Sequence, residues 1–115
     1  MGDARKILGF RGEKRAVQFL VRKNYQILDQ NLRLKFGEID ILAADGDDIV
    51  IVEVKTKTGD EMGNPLEQID KKKRKKLLLL AREIYRLYPD RNIRIDAIGI
   101  EDNKIDHIKN AVGFE

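Results

Sequence analysis

The chain has 115 residues, 42% hydrophobic and 37% charged, with a formal net charge of +3. That length makes one domain, residues 1–115, with one core built from a sheet and two or three helices. The lack of cysteine and the single histidine, His107, exclude disulfides, zinc–thiolate centres, thiol nucleophiles and multi-histidine metal sites.

The longest apolar run, Leu77 to Ala81, is too short to cross a membrane. The segment MGDARKILGF lacks the apolar core of a signal peptide, so the expected setting is soluble and cytoplasmic. The first helix is predicted over Phe10 to Lys23, with Phe10, Ala16, Val17, Leu20 and Val21 on one face. Asn24-Tyr25 breaks that pattern. A first strand follows over Tyr25 to Lys35, irregular around Asp29-Gln30-Asn31. Gly37 to Ala44 and Asp48 to Lys57 read as strands two and three, joined by a tight turn in DGDD. Thr58 to Asn64 is a glycine-rich loop. A second helix is expected from Pro65, capped by Asn64, to about Tyr88. Ile93 to Ile100 makes a fourth strand and Lys104 to Ala111 a short fifth. A helix between strands three and four is a crossover, so those two run parallel. The fold class is α/β, a mixed sheet flanked by helices in the order α-β-β-β-α-β-β.

The hairpin raises the chemical question. Strand alternation puts Ile39, Ile41, Ala43, Val50, Val52 and Val54 on one face. Glu38, Asp40, Leu42, Ala44, Ile49, Ile51, Glu53 and Lys55 take the other. Both faces are apolar near the turn, so the sheet is covered on both sides. If Gly46-Asp47 are the central turn residues, Asp40 opposes Glu53 and Glu38 opposes Lys55. If Asp45-Gly46 are central, Asp40 faces Ile51 instead. Either register keeps Asp40, Glu53 and Lys55 on one face.

Two adjacent carboxylates repel, and burial sharpens the repulsion unless a proton or cation sits between them. Hard oxygen ligands suit magnesium or manganese. A divalent ion with the Lys55 ammonium beside it fits phosphodiester hydrolysis, in which the ion activates water and the lysine orients it or stabilises the transition state. Glu13 falls in the middle of the apolar stripe of the first helix, where an acid needs a partner. The competing reading is a structural charge cluster, with a Glu38–Lys55 ion pair and Asp40 bonded to backbone N–H groups.

These residues carry a family likeness. Glu13, then Asp40, then Glu53-Val54-Lys55 resembles the PD-(D/E)xK nuclease signature. The segments GEKRAVQFL, NLRLKFGEIDILAAD, IVIVEVKTK and HIKNA resemble the bacterial YraN-type family, itself similar to archaeal Holliday-junction resolvases. The resemblance runs from about Gly12 to Ala111. It implies a restriction-endonuclease-like core and a single nuclease-like domain. It also implies Asp40 and Glu53 as ligands of Mg2+ or Mn2+, with the Val54 carbonyl as a third. Lys55 would be the catalytic lysine, and Glu13 the helical acid that completes the catalytic site and is a further candidate ligand. The sequence departs from the family at Val112-Gly113, where an aromatic residue usually follows Asn-Ala.

The run Lys71 to Lys76 reads KKKRKK. Lys71, Lys72 and Lys75 point outward from the helix, as a solvated face or as a phosphate-tracking patch. Lys73 falls on the buried stripe and must snorkel or pair. Gln68 is a further candidate contact, although its helical angle turns it from the apolar stripe. Arg33 has two readings, a phosphate contact or an ion pair with Glu38. Gly37 fits a bend or close approach before the acids. Asp96 reads as a salt-bridge partner of Arg94, and His107 as a satisfied structural histidine. The aromatic residues are few and scattered, which does not indicate a base-stacking platform.

Three functions are thus set against one another. The first is a metal-dependent endonuclease selective for DNA structure, such as branches or junctions. The second is a nucleic-acid-binding module that keeps the nuclease fold without turnover. The third is a protein-interaction scaffold. The expected partner is DNA, and nothing in the residues separates it from RNA. Symmetric cutting of two strands would call for a homodimer, although no heptad or interface strand marks one.

Overall fold

The computed structural model describes residues 4–57, 69–102 and 104–113, with the side chains of residues 4–10 left aside. The elements are α1 (Ala4–Arg22), β1 (Gln26–Leu34), β2 (Gly37–Asp45), β3 (Asp48–Lys57), α2 (Lys71–Leu87), β4 (Ile93–Glu101) and β5 (Lys104–Ile108). They form one five-stranded mixed sheet in the spatial order β1-β2-β3-β4-β5. β3 and β4 are parallel and joined through α2, and the other neighbours are antiparallel. This is the expected α/β order, that of a restriction-endonuclease-like core.

Both faces of the sheet are covered. On one, Leu77, Leu80, Ala81 and Ile84 of α2 pack on Leu42, Ile49, Ile51, Ile93 and Ile95. On the other, Ala16 and Leu20 of α1 pack on Ile41, Ala43, Val50, Val52, Ile98 and Ile100. Burying each large aliphatic side chain contributes roughly 1.5–3 kcal/mol before chain entropy is charged against it. Val112, where the chain departs from the YraN-type pattern, is buried on the α2 side.

Several boundaries differ from the sequence reading. α1 starts at Ala4, ahead of Phe10, and Val21 is exposed instead of lying on its buried stripe. The helix stops where expected. Asn24 takes a left-handed φ of 68°, Tyr25 N–H donates to the Leu20 carbonyl (2.9 Å), and Asn24 N–H donates to that of Val21 (3.0 Å). α2 begins at Lys71 and not at Pro65. Its N-cap is Asp70, whose carboxylate accepts the Lys73 N–H at 2.8 Å. Asn64, Pro65, Leu66 and Gln68 lie outside the described residues. β5 ends at Ile108, three residues short of Ala111.

The hairpin register is set by Asp45 opposite Asp48, with Gly46 at φ 59° in the first central position of the turn. Gly46-Asp47 is therefore the turn centre, and the ladder runs back from it to Ile41 opposite Val52.

Candidate functional site

The site forms where the strict alternation of β2 breaks. Ile39 packs with Leu42 on the α2 side, whereas Ile41 packs on the α1 side, so the two do not share the expected face. Asp40 lies at the break. Its Oδ2 accepts the Val54 N–H at 2.9 Å, so the carboxylate caps the place where the β2–β3 ladder ends. Among the described residues the expected Glu38–Lys55 pair is not made. Glu38 instead faces Arg33 at 3.7 Å, the ion-pair reading of Arg33.

Burial, followed by the neighbouring charge of Glu53, pushes the Asp40 carboxyl up to about 7, against the opposing hydrogen bond from Val54. The charge of Glu13 adds to the rise and that of Lys73 opposes it. Asp40 thus feels groups on both faces of the sheet: Glu13 from α1, and Lys73 from α2.

Glu53 faces α2. Lys73, the one lysine of the run expected on the buried stripe, reaches it with Nζ 2.6 Å from Oε1. Burial acts against this ammonium. The Glu53 hydrogen bond and charge, with the charges of Asp40 and Asp70, outweigh that and hold its pKa above the usual lysine value. Lys55 is exposed and makes no ion pair among the described residues. Glu53 and Lys55 line one cleft of about 310 Å³ with Ile69, Lys72, Lys73 and Lys76. Of the three lysines expected to track phosphate, only Lys72 lines it; Lys71 and Lys75 are exposed beyond it. Lys76 was not singled out in the sequence, yet its side chain lies where a Cβ on Gly37 would fall. Gly37, at φ 149°, makes the close approach before the acids.

Glu13 arrives by another close approach. A Cβ on Gly12 would overlap the Thr56 hydroxyl, so the glycine lets α1 settle on β3. With its amide nitrogen turned towards the acids, Asn31 donates to Glu13 Oε2 and Glu38 Oε1, both at 3.0 Å. Asn31 is therefore the partner that Glu13 needed. Burial raises the Glu13 pKa, the Asn31 hydrogen bond opposes this, and the charges of Glu38 and Glu53 add to it. The clue in the sequence was the irregular stretch of the first strand, where Asn31 takes a left-handed φ of 52°.

Among the described residues no three carboxylate or histidine groups come together closely enough to form a ready metal cage. Asp40 and Glu53 supply hard oxygen donors with excess negative charge. Glu13 is engaged by Asn31, and Glu53 by Lys73. Two carboxylates are the hard oxygen donor type that suits a divalent ion.

A second polar centre lies on the α1 side. The buried Asp96 carboxylate accepts from Arg94 Nε (2.8 Å), from the Asn110 N–H (3.0 Å) and from the Tyr25 hydroxyl (3.3 Å), and pairs with His107 Nε2 (2.8 Å). Burial works against this carboxylate, but the His107 and Arg94 bonds and the Asn110 N–H bring it down to about 2. Lys23 Nζ lies 3.1 Å from His107 Nδ1. Both ring nitrogens of His107 thus have partners, which agrees with the reading of a satisfied histidine.

The family model described as Uncharacterised protein family UPF0102 matches residues 12–100. The chain belongs to this family. It is 47% identical over 109 residues to the UPF0102 protein of Thermodesulfovibrio yellowstonii, covering 94% of this chain and 97% of that one. It is 46% identical over 112 residues to the UPF0102 protein of Persephonella marina, covering 95% and 96%. The family match runs from Gly12, at the α1–β3 approach, to Ile100 in β4. It takes in Glu13, Asp40, Glu53, Lys55 and Lys73, and it stops before His107.

Proposed function

We propose that this protein is a metal-dependent endonuclease that hydrolyses phosphodiester bonds in branched or junction DNA. The observation that carries the reading is the Asp40 carboxylate. It is held by the Val54 N–H, pushed towards neutrality by burial and by Glu53, and set beside a cleft walled with lysines. Asp40 and Glu53 would hold a Mg2+ or Mn2+ ion, with the Val54 carbonyl as the third donor. Such an ion supplies an activated water and neutralises charge on the phosphate. Lys55, exposed and unpaired among the described residues, orients the water or stabilises the charged transition state. Glu13, through Asn31, positions the strand that carries Asp40.

The basic run supports an anionic partner. α2 has no acid in its first turn and opens on six consecutive cations, which face the positive end of its own dipole. Phosphates at Lys72 and Lys76 relieve that repulsion.

One observation favours a second reading, a nucleic-acid-binding module without turnover. The Lys73 ammonium already neutralises Glu53. The test is incubation of labelled four-way, flapped and linear DNA with Mg2+ or Mn2+. Cleavage by the wild type, lost in folded Asp40→Asn and Lys55→Ala, supports the nuclease. Salt-sensitive binding without cleavage supports the module. Equal cleavage by the variants would remove Asp40 and Lys55 from the chemistry.

A further inference from the structure

A groove of about 400 Å³ lies at the far end of α2 from the acids, between the last turns of that helix and the start of β4. Its floor is apolar, made by Ala81 and Ile93. One wall is Tyr85, whose ring is 53% exposed near the end of α2. Arg82 and Arg86, one turn apart, flank that ring, and neither has an ion pair or hydrogen bond among the described residues. Arg91 also lines the groove; its guanidinium donates to the neutral carbonyl of Asp47 (3.0 Å) and has no ion pair among the described residues. Asn92 completes the lining, which among the described residues contains no carboxylate.

We propose that this groove binds a nucleotide of single-stranded nucleic acid, with the base stacked on Tyr85 and its phosphates held by Arg82, Arg86 and Arg91. A nucleobase needs a flat apolar slot with a polar residue at its edge; its phosphates need guanidinium forks. All of these are present within two helical turns and the adjoining loop. An acidic peptide would use the arginines but has no use for an exposed ring over an apolar floor. The groove also lies on the helix that carries the lysine run. Thirteen residues separate Lys72 from Tyr85, about 20 Å at the rise of an α-helix. One strand can therefore engage both ends of α2, with the unpaired part at Tyr85 and the remainder near Glu53. A branch point, where duplex gives way to single strand, has that form.

The proposal needs no cleavage, so it is tested in EDTA on the full chain, by fluorescence anisotropy of labelled oligothymidylate and of a duplex of equal length. Tyr85→Ala should weaken oligothymidylate binding about tenfold, the worth of one base–aromatic stack. It should leave duplex binding unchanged, and Tyr85→Phe should bind like the wild type. The Arg82→Ala/Arg86→Ala double variant should lower the salt dependence of single-strand binding by about 1.4 log units per decade of salt. Unchanged single-strand binding in Tyr85→Ala overturns the proposal, as does an equal loss for duplex. A polyglutamate peptide that binds through the arginines and ignores Tyr85→Ala would assign the groove to acidic peptides instead. If Lys72→Glu/Lys76→Glu abolishes DNA binding while Tyr85→Ala does nothing, the groove is wrong and the nuclease reading is untouched.

Discussion

Asp40→Asn should make the metal-free protein more stable, and increasingly so as pH rises. The asparagine keeps the shape of the side chain, and its carbonyl can still accept the Val54 N–H that Asp40 Oδ2 accepts at 2.9 Å. It removes only the charge. In the folded protein the Asp40 carboxyl is raised from 3.8 to about 7. The native state therefore holds a proton that the unfolded chain releases above about pH 4. The stability linked to that proton is complete below the unfolded pKa and is lost as pH rises through the folded one. About three pH units at about 1.36 kcal/mol each set a ceiling of about 4 kcal/mol. Asp40 is only half-buried, so water screens part of this, and we take roughly half, about 2 kcal/mol. For a chain of this length that is about 8 °C in Tm. Circular-dichroism melts in EDTA should show the variant and the wild type equal near pH 4 and separated by that amount near pH 8. Adding Mn2+ near pH 8 should raise the wild type and leave the variant unmoved. Equal melting temperatures near pH 8 without metal would refute the buried repulsion from which the site has been built.

Other perturbations separate its parts. Lys73→Met removes the ammonium from Glu53, so isothermal titration should show tighter Mn2+ binding by several-fold; weaker binding would mean that Lys73 assists the ion. Because that lysine is partly exposed, its loss should cost no more than about 1 kcal/mol of metal-free stability. Asp96→Ala should cost about 3–5 kcal/mol in denaturant melts, because it strands the buried ends of Arg94 and His107. The Asp96 carboxyl is lowered from 3.8 to about 2, so its contribution is complete above about pH 4 and lost as pH falls towards 2. Acid unfolding of the wild type in that window checks the sign. Gly12→Ala should destabilise by about 1–3 kcal/mol through overlap with Thr56, and Gly12→Ala/Thr56→Ala should recover most of it. A double variant no better than Gly12→Ala alone would place the strain elsewhere.

The fold was legible because its signals are local and periodic. The DGDD turn narrowed the register to two choices, the alternation of β3 named both of its faces, and the apolar stripe of α2 left Lys73 to snorkel or pair, which it does with Glu53. The start of α2 was misread because Pro65 is a strong general starter, whereas the cap is Asp70, an acid easily taken as one more charge beside a lysine run. The break at Asp40 was hidden for a different reason. Period-two reasoning assumes a regular strand, whereas Asn31 on the neighbouring strand takes a left-handed φ and its side chain reaches Glu13 on α1. The Tyr85 groove was hidden because Tyr85, Arg91 and Ile93, though near in the chain, belong to a helix, a turn and a strand and line one hollow only when α2 returns to the sheet.

The most direct test of the central claim is anomalous diffraction from crystals soaked in Mn2+. The account predicts a peak bound by the Asp40 and Glu53 carboxylates, with the Lys73 ammonium moved off Glu53. A structure in which Lys73 keeps its 2.6 Å contact and no manganese reaches either acid would contradict it.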